Sequence, residues 1–157
     1  MHSAQVRRGG INDVRAIREL SRAAYAKWVP LIGREPWPMT ADYGRAVAEN
    51  IIYLLEDYGE LVALIELIPR PDHLLIENVA VQPKQQGKGF GELMLGHAED
   101  VARSMNYNEV RLCTNAAFAA NIAFYSKRGY TVYERGTMVP GTVAVFMKKK
   151  IEGAYSG

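Results

Sequence analysis

The sequence has a single cysteine, Cys113, so no internal disulfide and no cysteine-based zinc site can form, a usage that suits a reducing cytoplasm. It also lacks any apolar run near the length of a membrane span. The longest, such as Leu61 to Ile65, are far too short, and the start MHSAQVRRGG carries no apolar region for export. Charge of one sign is scarce as well. The formal net charge is +2 and lysines gather only at Lys148-Lys149-Lys150, so no nucleic-acid footprint is expected, although a local positive patch remains open. His73 and His97 have no ligand partners at useful spacing, so no metal is expected. What is left is the composition of an ordinary globular protein: 157 residues, 48% hydrophobic and 23% charged. One domain over residues 1–150 with a short flexible tail over 151–157 is the expectation.

Ala4 to Arg8 reads as a short strand closed by Gly9-Gly10, after which Asn12 can cap a helix to about Lys27. Val14, Ile17, Leu20, Ala24 and Trp28 recur at intervals of three and four, which buries one face. The stretch WVPLIGREPWPMT, with its prolines and tryptophans, should end that helix and fold back onto the domain. A second helix is expected from Thr40 to about Asn50. A hairpin follows, IIYLLED and ELVALIELIP across Asp57-Tyr58-Gly59.

Leu74 to Val81 reads as the next strand. It leads through the polar turn QPKQQ into a helix whose Phe90, Met94, His97, Val101 and Met105 are helically spaced and which stops at Asn106. A strand over Glu109–Thr114, a helix over Ala116–Arg128 closed by Gly129, and a strand pair, Tyr130–Glu134 with Thr142–Lys148, complete the chain. The order β-α-α-β-β-β-α-β-α-β-β combines an antiparallel meander with a βαβ crossover. It predicts an α/β fold with a mixed, mostly antiparallel sheet of six to seven strands and about four helices on its two faces.

The chain is organised around Gly87-Lys88-Gly89-Phe90-Gly91. Three glycines at every second position let the backbone approach a ligand closely, and the N–H groups that open the following helix suit an anion. A tight connection without a ligand is the plain alternative. A nucleoside-triphosphate loop is excluded, because Lys88 is followed by Gly89 and no hydroxyl is present for magnesium. A dinucleotide fingerprint is excluded too: the third glycine position holds Glu92 when counted from Gly87 and Met94 when counted from Gly89. What survives is Q-x-x-G-x-G, with Gln86, Gly89 and Gly91 as its fixed residues, between a strand ending V-A-V-Q-P and an amphipathic helix.

In this context the chain resembles the GNAT superfamily of acetyl-CoA-dependent N-acetyltransferases, whose [QR]-x-x-G-x-[GA] loop binds the pyrophosphate of the acyl donor. A second motif, Asn121-Ile122-Ala123-Phe124-Tyr125-Ser126-Lys127-Arg128-Gly129-Tyr130, supports the resemblance, which covers nearly the whole chain. The resemblance implies that Gln86 and the backbone amides of Gly87, Lys88, Gly89, Phe90 and Gly91 hold the pyrophosphate. Lys88 adds a positive charge there unless it is simply solvated. It implies further that the main chain of Val79 and Val81 bonds the pantetheine arm like an added strand, and that Asn121 holds the same arm. Tyr125 would protonate the departing sulfur.

The residues read independently agree with those roles. Glu77, Val79 and Val81 share one strand face, so Glu77 interrupts an apolar pattern, and a partly desolvated carboxylate there can accept a proton from an amine. A structural ion pair is the alternative for Glu77, and Glu66 or water is the alternative base. Asn121 and Tyr125 are one helical turn apart on one face, and a phenol there can assist a thiolate to leave; core packing is the other reading of Tyr125. By resemblance Tyr25, Trp28, Arg34 and Trp37 wall the acceptor pocket, with Met39 beside them. The alternative is a loop stapled onto the core or onto the partner in a homodimer. Asn115 lines the acceptor side or caps a helix, and Cys113 is expected to be packed rather than reactive.

The expected activity is acetyl transfer from acetyl-CoA to a primary amine, a small molecule in preference to a protein, by direct attack in a ternary complex. A non-catalytic acyl-CoA binding or sensing module with the same fold is the alternative. Neither nucleic acid nor membrane is an expected partner.

Overall fold

The first strand, β1 (Gln5–Arg8), pairs antiparallel with β2 (Ile51–Asp57) in a computed structural model whose described residues are 4–139 and 141–152. β2 turns into β3 (Glu60–Pro69) through Tyr58 and Gly59, with φ of 52° and 77°. Two successive residues with positive φ give the hairpin turn whose twist matches that of its strands. β4 (Leu74–Val81) follows, then β5 (Glu109–Asn115), β6 (Thr131–Val139) and β7 (Thr142–Lys150). Hydrogen-bonded neighbours run in the order β1-β2-β3-β4-β5-β7-β6; β1 with β2, β2 with β3, β5 with β7 and β6 with β7 are antiparallel, and β4 with β5 is parallel. The mixed, mostly antiparallel α/β sheet expected from the pattern is therefore present.

The chain divides into two compact units. One comprises the described residues up to Ile68 together with Glu77–Ala98, and the other comprises Pro69–Ile76 and the described residues from Glu99 on. In the first unit α1 (Val14–Tyr25) and α3 (Tyr43–Glu49) cover one face of the strands. Ile17, Leu20, Ala24, Tyr43 and Ala46 of these helices pack with Ile52, Leu54, Leu64 and Ala80 of the strands. Burying each such Leu or Ile contributes roughly 1.5–3 kcal/mol. The start of α4 (Phe90–Ser104) lies on the opposite face, where Tyr53 meets His97 edge to face at 4.3 Å. The second unit holds β5, β7, β6 and α5 (Ala119–Ser126), and Leu74–Ile76 of β4 run parallel to Val110–Leu112.

Several boundaries differ from the sequence reading, each for a local reason. Asn12 does not cap α1; it lies in a 3-10 turn, Ile11–Asp13, and the Asp13 carboxylate accepts from the Gly10 N–H at 2.9 Å. The proline-rich stretch does contain a helix, the single turn α2 (Val29–Ile32), because Pro30 falls in its first turn, where no intrahelical N–H is needed. Gly33, at φ 73°, ends it. α3 begins at Tyr43 rather than Thr40, since Asp42 is the residue whose side chain accepts from the Arg45 N–H. α5 begins at Ala119 rather than Ala116, because the Asn115 side chain first accepts from the Ala117 N–H at 2.9 Å and holds a non-helical turn. Along α4 the buried apolar residues are Phe90, Met94, Leu95, Ala98 and Ala102, with Glu99 buried beside them, whereas Met105 lies past the helix end and is exposed. Asn106 ends α4 with φ 64°, as expected.

Cys113 is exposed, not packed: Val110 and Leu112 take the buried side of β5 and the alternation turns Cys113 outward. Ile151, expected in the tail, is buried, and its N–H donates to the Asn108 carbonyl at 2.9 Å. Glu152 is exposed, and residues 153–157 of the expected tail lie outside the described residues.

Candidate active site

β4 alternates strictly, with Leu74, Ile76, Asn78 and Ala80 buried and Glu77, Val79 and Val81 half-buried. The strand ends where the Gln82 N–H donates to the Val62 carbonyl at 2.8 Å, and Pro83–Gln85 form a 3-10 turn. Gly87 and Gly89 then adopt φ of 83° and 86°, and a Cβ at either would meet no atom within 4 Å. The space above both residues is open, as a cradle for a bulky anion requires. The Gly89 carbonyl accepts from the Leu93 N–H at 3.0 Å, so Gly89 is the last residue before the helical turn. The first N–H groups of α4 point out of the helix with its positive dipole end. α4 has 15 residues, ample for that dipole to develop.

Two lysines stand at this loop. The Lys88 ammonium donates to Gln85 Oε1 at 2.8 Å, and the Lys27 ammonium donates to Gln86 Oε1 at 3.4 Å while lying 5.0 Å from the Trp28 ring centroid. Lys27 carried no sequence signal, because only the fold brings the 3-10 turn after α1, Ala26–Trp28, to the loop.

The cost of the loop geometry is testable. Gly89→Ala meets no steric obstacle, so its effect is confined to the left-handed backbone, about 1 kcal/mol. A small fall in melting temperature together with a larger fold loss of acetyl-CoA affinity is expected by thermal denaturation and calorimetry.

Glu77 is half-buried, and its charge acts on its neighbours. Glu66, only 3% exposed, accepts from Asn50 Nδ2 at 2.8 Å through Oε2, whereas Oε1 has no hydrogen-bond partner among the described residues. Burial raises the Glu66 pKa, the Asn50 bond opposes the rise, and Glu77 adds to it. A carboxyl whose folded pKa is raised penalises folding once it ionises, so stability falls as pH climbs from the ordinary carboxylate range through the folded value. Glu66→Gln should therefore melt above wild type at neutral pH, with the gap closing as pH falls below about 4.5. A pH-independent gap would show that Glu66 ionisation is not its source.

Around the proposed acceptor side, Tyr25 places its hydroxyl 2.9 Å from Asn78 Oδ1 and 3.1 Å from the Val79 carbonyl. Trp28 is half-buried, Arg34 is exposed, and Trp37 is 44% exposed. The loop between them folds back as expected. Arg22 donates to the Met39 carbonyl (2.8 Å) and to Glu35 (2.7 Å), and Tyr43 donates to the Pro38 carbonyl. The sequence singles out Glu77 on β4, but its neighbour Asn78 is the buried polar residue of that strand, with side-chain partners on Ser21, Tyr25 and Tyr43. Its signal was present, a primary amide on the face shared with Ile76 and Ala80.

In the second unit Asn121 and Tyr125 lie on α5, four residues apart and both half-buried. The Tyr125 ring sits edge-on to Phe124 at 5.4 Å and to Tyr130 at 6.0 Å. Desolvation pushes the Tyr125 pKa up to about 12, so the phenol holds its proton at neutral pH. Tyr130 is fixed in turn: its hydroxyl bonds Glu99 (3.2 Å), which also accepts from the Lys149 ammonium (2.9 Å). Asn115 caps the turn before α5. Among the described residues no group of three or more His, Cys, Asp or Glu side chains is placed to hold a metal ion, and no helix is long and apolar enough to cross a membrane.

The family model described as the acetyltransferase (GNAT) family matches residues 14–130, so the chain belongs to that family. It is 32% identical over 77 residues to the uncharacterized protein YxbD of Bacillus subtilis (strain 168), a match spanning 49% of this chain and 47% of that relative. The chain thus aligns with about half the length of this curated relative. Its fold is that of the paia N-acetyltransferase of Thermoplasma acidophilum, solved in complex with coenzyme A, with a TM-score of 0.82, 18% identity, and 95% of this chain and 99% of that one covered. The ribosomal-protein-S18-alanine N-acetyltransferase of Escherichia coli superposes with a TM-score of 0.78, 21% identity, and coverage of 97% and 96%.

Proposed function

We propose that this chain, as one acetyltransferase domain over residues 1–150 in a reducing cytoplasm, transfers an acetyl group from acetyl-CoA to the primary amine of a small molecule. The observation that carries the proposal is the open Gly87–Gly89 turn at the start of α4, in a chain of the GNAT family. The coenzyme A complex of the Thermoplasma acidophilum protein supports the choice of donor.

In this reading Gln86 and the amides of Gly87 to Gly91 hold the pyrophosphate, with Lys88 adding charge, while Val79, Val81 and Asn121 hold the pantetheine arm. The acceptor nitrogen attacks the thioester carbon directly, so a C–N bond forms and the C–S bond breaks. Glu77, or water, takes the proton from nitrogen, strand amides bond the carbonyl oxygen, and Tyr125 gives its proton to the sulfur. Trp28, Arg34, Trp37 and Asn115 line the acceptor side, where Arg34 suits a carboxylate on the acceptor.

Initial velocities with both substrates varied test the order of events. Intersecting double-reciprocal lines are expected for a ternary complex. Parallel lines, the pattern of a covalent acyl-enzyme, would remove direct transfer.

A further inference from the structure

Asn78 is 2% exposed, and a primary amide buried to that extent needs partners for its oxygen and its nitrogen. They come from two helices. Its Nδ2 lies 3.3 Å from Ser21 Oγ on α1 and 3.3 Å from the Tyr43 hydroxyl on α3. Tyr43, itself fully buried, spends its single proton on the Pro38 carbonyl, so its oxygen accepts from the Asn78 amide nitrogen. That assigns the orientation of the amide, and its Oδ1 is left for the Tyr25 hydroxyl at 2.9 Å.

The same Tyr25 hydroxyl reaches the main-chain carbonyl of Val79 at 3.1 Å. A donor shared between a side chain on the buried face and the next residue's carbonyl ties that face to the plane of the strand. Asn78 and Val79 thereby take their position from α1 and α3, and not from strand pairing alone.

We infer that Tyr25 and Asn78 form a clamp that fixes the main chain of β4 at Val79, making Tyr25 a positioning residue for the strand that receives the acyl donor and not a wall of the acceptor pocket. The inference rests on the acetyl-CoA reading for its functional half, while the clamp itself is a property of the free chain. It departs from the sequence-based role of Tyr25, which put it with Trp28 and Arg34 on the acceptor side.

Tyr25→Phe keeps the ring and deletes only the hydroxyl, so the fold should survive. Losing a bond of this kind corresponds to about a ten-fold effect. Two readouts are expected. By hydrogen exchange without ligand, the amides of residues 77–81 should exchange about ten-fold faster, while those of β6 and β7 do not change. In steady-state assays, KM for acetyl-CoA should rise about ten-fold by the same factor with every amine tried, and kcat should stay within about two-fold.

Wild-type exchange over 77–81 in Tyr25→Phe would overturn the clamp, whether or not acetyl-CoA binds. Faster exchange with an unchanged KM for acetyl-CoA, or with an effect that varies from amine to amine, would overturn its assignment to the donor side. A wild-type protein that binds no acetyl-CoA would sink the donor reading and the functional half of the inference, and the exchange data would still decide the clamp. Ser21→Ala, which removes a more distant partner of Asn78, should shift exchange over 77–81 in the same direction by a smaller factor.

Discussion

Tyr125→Phe is expected to bind acetyl-CoA like wild type and to lose turnover by about 10²–10⁴-fold, the range spanned by a positioned proton donor. The substitution keeps the ring and therefore the edge contacts to Phe124 and Tyr130 at 5.4 and 6.0 Å, so the helix face should stay in place. What is lost is the proton. With its pKa pushed up to about 12 by desolvation, Tyr125 is fully protonated throughout the neutral range and available as an acid. Full transfer to a solvated thiolate of pKa about 8.5 would be uphill by about 5 kcal/mol. The transfer is therefore expected to accompany C–S cleavage, in a setting that destabilises the thiolate as well. The pH profile follows with a definite sign. Because the phenol must be protonated, Tyr125 imposes no alkaline loss of rate until the pH approaches about 12. Turnover within two-fold of wild type in Tyr125→Phe would remove this residue from the chemistry.

Glu77→Gln is the second large effect, with kcat expected to fall about 10²-fold and the rise of rate with pH to change its midpoint. Glu77 is half-buried in a strand whose alternate residues are fully buried, and its charge raises the pKa of Glu66. The amide isostere keeps the packing and deletes the carboxylate proposed as base. A pH–rate profile superimposable on wild type would assign the proton to water or to Glu66. In the second case Glu66→Gln, and not Glu77→Gln, would show the loss.

Strands were legible in this chain because their alternation survives folding unchanged: LLIENVAV reads buried and half-buried in strict turn. The glycine-rich turn was legible as a turn because glycine tolerates left-handed backbone, and Gly87 and Gly89 adopt it at φ 83° and 86°. Helix starts were less legible, since they depend on which side chain reaches a backbone N–H first. Asp42 captured the start of α3, and Asn115 postponed the start of α5. On α4 the helical spacing points to Val101 and Met105, whereas the fold buries Ala98 and Ala102. On β4 the charge of Glu77 was conspicuous, but the polar residue that the fold encloses is Asn78. Its three hydroxyl partners lie on residues 21, 25 and 43, too far apart in sequence for any local pattern to reveal.

The most direct test of the proposed acetyl transfer is release of free coenzyme A thiol from acetyl-CoA, followed across a panel of primary amines with the acetylated amine quantified by mass spectrometry. At least one amine is expected to raise thiol release well above the rate in buffer, with one acetylated product per thiol and with both signals lost in Tyr125→Phe. Tight acetyl-CoA binding with no amine-dependent thiol release across the panel would contradict the proposal and leave a binding module with this fold.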